Sequence, residues 1–224
     1  MKFCLGSDIH GNIGSLKHFL KISKSAKCDN LLLAGDLASW QDNTSIFEVF
    51  NELNISGIPT IAVLGNSDYE NYLELAKDYS QIKILHGNSM VINNINIIGV
   101  SGIPETNEHG SYFSIPESKI LKLFVNAINE IEKRKFLISI SHVPPLNILD
   151  MNRYGEHIGS RAIKTFIERY KPDLHLCGHV HESQGIVRIG KTIVVNAGML
   201  KKNGSVYIAE IDENIEIKMI DEFH

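Results

Sequence analysis

The 224-residue chain is poor in cysteine: it has three, Cys4, Cys28 and Cys177, and no C-x-x-C pair. This scarcity argues against a disulfide framework and against a cysteine-rich zinc site. We therefore predict that all three cysteines are buried, reduced thiols.

The sequence also lacks a long apolar segment. No apolar run approaches the roughly 20 residues that a membrane-spanning helix requires. The first five residues carry one charge and the chain turns polar at Ser7 and Asp8, which does not fit a secretory signal peptide. These features predict a cytoplasmic protein without a membrane partner.

An excess of basic charge is missing as well. Lysine and arginine number 22, and aspartate and glutamate number 26, so the formal net charge is −4. Proteins that hold nucleic acid through counterion release carry a basic surface. The charge balance therefore argues against a nucleic-acid partner.

The sequence does contain an alternation of short apolar runs and amphipathic segments. The runs at residues 3–6, 31–34 and 60–64 are typical of buried strands, and the segments between such runs show helical spacing. A tight turn is predicted at Asn93 and Asn94, and a further buried strand at residues 174–177. From residue 185 onward, strands joined by short turns are predicted, among them those at 185–189 and 215–220. Because no composition shift marks a boundary, residues 1–224 are predicted to form a single α/β domain with two sheets.

Polar blocks follow five of the predicted strands. These blocks are residues 7–12, 35–36, 65–68, 141–145 and 178–181. Ligands gather at the carboxyl ends of strands in α/β sheets, so we expect the polar side chains to converge there. Those able to bind a metal are Asp8, His10, Asp36, Asn66, His142, His179 and His181.

This set contains four imidazoles, two carboxylates and one amide oxygen, which are too many donors for one ion. It suits two divalent ions that share a carboxylate. Nitrogen and oxygen donors without thiolate favour Mn, Fe, Co, Ni or Zn over Ca or Mg, with Mn²⁺ as the favoured ion. Two such ions ~3.5–4 Å apart can hold a bridging hydroxide and support in-line displacement at phosphorus.

The five blocks together resemble those of the calcineurin-like metallophosphoesterase superfamily, and specifically its small prokaryotic branch related to cyclic-nucleotide phosphodiesterases. The blocks at 141–145 and 177–183 and the later Asn196-Ala197-Gly198 look typical of that branch. The resemblance implies a four-layer α/β/β/α sandwich, with two mixed β-sheets stacked face to face, flanking helices, and a metal site at the carboxyl ends of the strands.

The resemblance also implies an assignment of ligands. One metal would take Asp8, His10, Asp36 and His181, and the other would take Asp36, Asn66, His142 and His179. Asp36 would then bridge the two ions. Asn66 and His142 would also act in catalysis, with the metal-bridging hydroxide as the nucleophile.

One departure from the family pattern affects the chemistry. Many relatives carry, in the third block, a histidine that can protonate the leaving group, and here that position is Ser67. A serine hydroxyl is a poor acid at neutral pH. His157 and His109 are the alternative candidates for that acid. Asp68, left without a histidine to orient, is interpreted as the N-cap of the following helix.

The function predicted from these residues is a dinuclear metal-dependent phosphoesterase, preferentially a phosphodiesterase, that acts on a small phosphate ester. A phosphomonoesterase of the same superfamily is the alternative within the class. A non-catalytic metal-binding scaffold is the alternative from another class, although all seven ligands are present. Apolar edges among the C-terminal strands leave room for a homodimer.

Overall fold

The structure is a computed structural model and describes residues 1–105, 111–131, 135–200 and 206–220. The strands are, in chain order, β1 Lys2–Gly6, β2 Asn30–Ala34, β3 Thr60–Val63, β4 Ile82–Ile84, β5 Asn88–Ile92, β6 Ile95–Val100, β7 Ile103–Pro104, β8 Ser114–Ile115, β9 Phe136–Ser141, β10 Leu174–Cys177, β11 Gly185–Ile189, β12 Thr192–Asn196, β13 Val206–Ile211 and β14 Ile215–Ile220. The α-helices are α1 Ile13–Ser25, α2 Ser45–Ser56, α3 Tyr72–Leu75, α4 Glu117–Asn129 and α5 Arg161–Tyr170.

Two six-stranded mixed sheets form the centre of the molecule. The first has the order β14-β13-β1-β2-β3-β4, in which β1 to β4 are parallel and β13 and β14 are antiparallel to their neighbours. The second has the order β11-β12-β10-β9-β6-β5, with antiparallel edge strands β11 and β5 around a parallel centre. The short strands β7 and β8 pair separately.

Alternation along β2 shows how the sheets are stacked. Leu32 and Ala34 pack in a core shared with the second sheet, where Ile138 and Leu176 lie. The intervening Leu31 and Leu33 face the opposite way, into the core formed with the helices. A strand buried on both faces needs apolar residues at every position, which explains its continuous apolar sequence. The prediction of a four-layer fold with two stacked mixed sheets is confirmed.

Helices cover the outer faces of both sheets. Phe19 of α1 and Phe50 of α2 are fully buried, and they belong to the same apolar core as the outer face of β2. Helix α4 packs on β5 and β6 and contacts α5, where Phe124 stacks on Phe166 with ring centroids 4.5 Å apart. None of the helices in the described ranges is both long enough and apolar enough to cross a bilayer. The single domain over residues 1–224 stays a prediction.

The prediction of three reduced cysteines is wrong for two of them. Cys4 and Cys28 form a disulfide, with their Cα atoms 5.8 Å apart, whereas Cys177 is free and buried. Parallel pairing of β1 with β2 places Phe3 opposite Asn30, and this brings the segment before β2 next to Cys4. A separation of 24 residues gave no local signal of this contact. The cytoplasmic location stays a prediction.

His175 lies in the middle of the apolar strand β10, and this position predicts a packed histidine and not a metal ligand. The structure shows it fully buried. Its Nδ1 lies 2.8 Å from Ser139 Oγ and its Nε2 lies 3.1 Å from Ser141 Oγ. Ser141 Oγ donates its single proton to the carbonyl of Val143, so it must accept from Nε2–H. The neutral imidazole is therefore fully hydrogen-bonded, and burial lowers the pKa of His175 to about 3.

We expect His175 to make the fold sensitive to acid. Below pH ~6.5 an unfolded histidine binds a proton, but folded His175 stays neutral until the pH approaches 3. The unfolded state then binds more protons than the folded state. The free energy of unfolding therefore decreases as the pH is lowered, by about 2 kcal/mol between pH 7 and pH 5. Urea unfolding at both pH values should show this loss reduced by that amount in His175→Gln. An identical pH dependence in the variant would contradict the prediction.

Candidate metal centre

Loops at the carboxyl ends of five strands meet at one edge of the two sheets. They follow β1, β2 and β3 of the first sheet and β9 and β10 of the second. Backbone hydrogen bonds link neighbouring loops, from Asp8 N–H to the Gly35 carbonyl (3.0 Å) and from Gly178 N–H to the His142 carbonyl (2.9 Å). The structure thereby brings together all seven predicted side chains. We call them the seven-residue cluster: Asp8, His10, Asp36, Asn66, His142, His179 and His181.

One half of the cluster surrounds the Asp8 carboxylate. His181 Nε2 lies 3.0 Å from Asp8 Oδ1. His10 Nε2 lies 3.7 Å from Asp8 Oδ1 and also 3.7 Å from Asp36 Oδ2. One ligand atom each from Asp8, His10 and His181 falls within 4.8 Å of the others, so these three residues are able to hold one ion together.

The other half surrounds the Asp36 carboxylate. His142 Nε2 lies 3.4 Å from Asp36 Oδ1 and 3.1 Å from Asn66 Oδ1. His142 Nδ1–H donates to the carbonyl of Ala34 at 2.7 Å, which leaves Nε2 as the nitrogen that faces the carboxylates. Asp8, Asp36 and His142 form a second group of ligand atoms within 4.8 Å.

His179 joins the cluster differently. Its ring contacts the His142 ring, with centroids 5.0 Å apart, and its backbone N–H donates to Asp8 Oδ2 at 3.0 Å. Its ring nitrogens do not belong to either group of closely spaced ligand atoms in the described residues. The ligand assignment of the seven residues stays a prediction.

The backbone of the cluster is strained at four of its positions. Asp8, His10, Asp36 and His179 have φ values of 55°, 50°, 51° and 67°, in the left-handed region that non-glycine residues rarely adopt. Such conformations persist where the surrounding structure holds them, and they concentrate at functional sites. Here the hydrogen bonds between loops hold them; His10 N–H, for example, donates to the Asp36 carbonyl at 2.9 Å.

The chemistry of the cluster fits a bound divalent cation. His10 Nε2 is buried and makes no hydrogen bond to any residue that the structure describes. A buried polar atom without a partner is costly, yet this one lies equally far from two carboxylate oxygens, outside hydrogen-bond distance. Donor atoms spaced around a common centre in this way suit a cation between them.

The electrostatics of the cluster favour metal-binding protonation states at Asp8, Asp36 and His179, but not at His142. Burial raises the pKa of Asp36, but the charge and hydrogen bond of His142 outweigh it and hold this pKa below its usual range. Burial is likewise outweighed for Asp8 by the hydrogen bond from His181, so its pKa is also lowered. Burial and the His142 charge lower the pKa of His179 to about 4. Ionised carboxylates and a neutral imidazole are the forms that bind metals. Burial lowers the pKa of His142, but the charge and hydrogen bond of Asp36 outweigh it and raise this pKa to about 9, so a bound metal would have to displace a proton from this imidazole.

Asp68 lies beside the cluster and has a different role from the helix N-cap that the sequence predicted. It does not cap a helix, because α3 begins at Tyr72. Its buried carboxylate accepts hydrogen bonds from the backbone N–H groups of Leu37 (3.2 Å), Ala38 (2.8 Å) and Gly65 (2.8 Å). It thereby ties the loop that carries Asp36 to the loop that carries Asn66. The sequence feature that could have indicated this role is the position of Asp68 in the same polar block as Asn66, two residues after it.

Ser67 also supports the Asp36 carboxylate. Its backbone N–H donates to Asp36 Oδ1 at 2.8 Å, and its hydroxyl lies 3.4 Å from His10 Nδ1. The side chain is buried, and 1% of the residue surface is exposed. Ser67 therefore positions cluster residues, and its hydroxyl is a poor proton donor for a leaving group.

Comparison with known proteins identifies the family. A family model described as calcineurin-like phosphoesterase matches residues 1–183, a range that contains the whole seven-residue cluster. This chain belongs to that family. Calcineurin-like phosphoesterases act on small phosphate esters and typically bind divalent metals, and the two groups of ligand atoms described above are candidate sites for them.

Relatives from archaea and bacteria resemble the chain along almost its full length. MJ1162 of Methanocaldococcus jannaschii is 29% identical over 205 residues, which cover 88% of this chain and 87% of that protein. The crystal structure of TT1561 of Thermus thermophilus has a TM-score of 0.76 at 19% identity and 97% coverage of both chains. A structure described as a novel archaeal phosphodiesterase has a TM-score of 0.61 at 16% identity, covering 98% of this chain and 99% of the other. These two structures share the fold.

Proposed function

We propose that this calcineurin-like phosphoesterase is a dinuclear, metal-dependent phosphodiesterase that hydrolyses a small phosphate diester. The observation that carries the proposal is the convergence of two buried carboxylates with four imidazoles and the Asn66 amide at one edge of the sheets. Asp8, His10, Asp36 and His181 would hold one ion, and Asp36, Asn66, His142 and His179 would hold the other.

The bound ions would supply an activated water nucleophile and would offset the charge that develops on the phosphoryl oxygens. The protein residues prepare this site by orientation. His142 is fixed through its Nδ1–H bond to Ala34, and the Asp36 carboxylate is held by Ser67 N–H. Rigid positioning of this kind accounts for a large share of the catalysis in phosphoryl transfer.

Two observations support a diester over a monoester. Ser67 replaces the imidazole that would otherwise assist at the leaving group, and the hydroxyl adds no positive charge to balance the second negative charge of a monoester. A solved archaeal protein of the same fold is described as a phosphodiesterase.

The test compares bis(p-nitrophenyl) phosphate with p-nitrophenyl phosphate, with Mn²⁺ and after chelation. We expect kcat/KM to be higher for the diester, to be abolished by the chelator, and to recover when Mn²⁺ is restored. Faster turnover of the monoester would contradict the diester preference and support a phosphomonoesterase. Metal binding without turnover of either ester would favour a non-catalytic scaffold.

A further inference from the structure

A buried carboxylate outside the seven-residue cluster holds a histidine in place. Asp150 is 1% exposed. Its Oδ2 accepts hydrogen bonds from the backbone N–H groups of Asn147 (2.8 Å) and Gly159 (3.0 Å), and its Oδ1 lies 2.6 Å from His157 Nδ1. The carboxylate is fixed by the backbone on one side and orients an imidazole on the other.

His157 presents its second nitrogen away from this carboxylate. Because Nδ1–H is donated to Asp150, Nε2 is the nitrogen available to another group, and it makes no hydrogen bond to the other described residues. The side chain is 41% exposed, whereas that of Asp150 is 1% exposed. A partly exposed histidine held by a buried carboxylate through one ring nitrogen is arranged as a base or acid is in hydrolytic enzymes.

The loop that carries this pair is attached to the segment of His179 and His181. Asn196 Nδ2 donates both to the carbonyl of Leu149, at 3.1 Å, and to that of Val180, at 2.9 Å. Val180 separates the two histidines in the sequence, and Leu149 precedes Asp150. The amide of Asn196 thus fastens the loop directly beside two members of the cluster.

A second connection lies at the other end of that segment. Ser183 Oγ donates to the carbonyl of Met151 at 2.7 Å, and Met151 pairs with His157 in an isolated antiparallel bridge. Burial, and then the charges of Asp8 and Asp150, raise the pKa of the Cys177 thiol, so the two carboxylates act on the same buried side chain. The pair Asp150–His157 therefore lies at the His181 side of the cluster.

The cluster itself offers no suitable acid. Among the described residues, Ser67 follows Asn66, and its buried hydroxyl is a poor acid. The four imidazoles of the cluster are proposed metal ligands and are therefore not available as acids. An alkoxide or phenoxide leaving group needs a proton, and a positioned acid contributes about 10²–10⁴-fold in rate. His109, the other candidate, lies outside the described residues.

We propose that His157 is the general acid of this enzyme and that Asp150 is its positioning residue; the inference rests on the proposed phosphodiesterase function. The oxygen of the attacking water forms a bond to phosphorus, and the water gives up one proton to solvent. The bond from phosphorus to the leaving oxygen breaks, and its electron pair stays on that oxygen. The proton on His157 Nε2 passes to the oxygen, which leaves as an alcohol. Asp150 remains ionised and keeps Nδ1–H in place, and His157 regains a proton from solvent.

The test measures kcat/KM for bis(p-nitrophenyl) phosphate and for diphenyl phosphate, which differ mainly in the pKa of the leaving phenol. In His157→Gln we expect both values to fall, and the value for diphenyl phosphate to fall about 10²-fold further. Asp150→Asn should change the ratio in the same direction but less, and the double variant should match His157→Gln because the two residues act as a unit.

Tyr154→Ala is the matched control, because Tyr154 lies in the same loop and is 71% exposed. We expect it to keep the wild-type ratio of the two kcat/KM values. An unchanged ratio in His157→Gln, with equal losses for both esters, would mean that His157 is structural and would overturn the inference. A wild-type protein that hydrolyses neither ester with Mn²⁺ would instead contradict the proposed function.

Discussion

Replacing Asp36 with asparagine is expected to lower kcat/KM for bis(p-nitrophenyl) phosphate by about 10³-fold or more. Asp36, like Asp8, is a carboxylate that faces both halves of the cluster, with Oδ2 3.7 Å from His10 Nε2 and Oδ1 3.4 Å from His142 Nε2. An amide keeps the shape of the side chain but removes the negative charge that a shared cation needs. A loss of about 4 kcal/mol of transition-state stabilisation corresponds to this factor.

Metal content provides a second measurement on the same variant. Elemental analysis after dialysis against Mn²⁺ should give fewer than two ions per chain in Asp36→Asn. Asp42→Asn is the matched control, because Asp42 undergoes the same chemical change on the exposed loop six residues later. The control should keep the activity and the metal content of the wild type. Two tightly bound ions and near-normal turnover in Asp36→Asn would rule out a bridging role for this carboxylate.

Replacing Gly178 with alanine is expected to destabilise the fold and the metal centre together. An added Cβ would collide with Ser7 Oγ and with Asp8 Oδ2, and it would lie 2.7 Å from Ser7 Cβ. Ser7 and Asp8 are fully buried, and the Ser7 hydroxyl donates to the carbonyl of Ala34 at 3.1 Å, so neither residue can move freely. We expect the free energy of unfolding to fall by about 1–3 kcal/mol, the usual cost of overpacking.

The same displacement of Asp8 should lower kcat/KM in whatever fraction of Gly178→Ala remains folded. Urea unfolding measures the stability, and a steady-state assay at low temperature measures the activity. Gly14→Ala is the control. Gly14 lies in α1, and a Cβ added there would lie 3.4 Å from its nearest neighbour, Asn12 Oδ1, which is an ordinary contact. Because Gly14 lies in the first turn of the helix, the substitution should change the free energy of unfolding by less than about 1 kcal/mol and should leave kcat/KM unchanged. Wild-type stability in Gly178→Ala would show that the two loops adapt to the methyl group.

Sequence reasoning located the elements whose pattern is local. The predicted strand at residues 174–177 and those at 185–189 and 215–220 match β10, β11 and β14. The predicted turn at Asn93 and Asn94 joins β5 to β6, with φ values of 45° and 65°. These predictions succeed because alternation, apolar runs and turn residues depend only on amino acids within a few positions of one another. The three-residue strand β4 was missed, since so short a run carries little pattern.

The order of residues alone specifies the metal-binding donors that this chain carries. The residue types in the five blocks fixed the donor set, and their positions after apolar strands placed the donors at one end of a sheet. Both follow from covalent order and from the rule that parallel strands present their carboxyl ends together. Which atoms meet across the two sheets, such as His179 N–H and Asp8 Oδ2, depends on how the sheets pack in the folded chain.

The contacts of Cys4, Asp68 and Asp150 likewise became visible only in the folded chain. Cys4 forms a disulfide with Cys28, and Asp68 accepts hydrogen bonds from backbone N–H groups of two loops. Asp150 accepts a hydrogen bond from His157. Each of these contacts depends on how a loop packs against a neighbouring strand or loop, and loop conformation is not encoded in a repeating sequence pattern. The physical reason is that a buried carboxylate or thiol takes the partner that the packed chain provides, which is known only once the sheets and loops are in place.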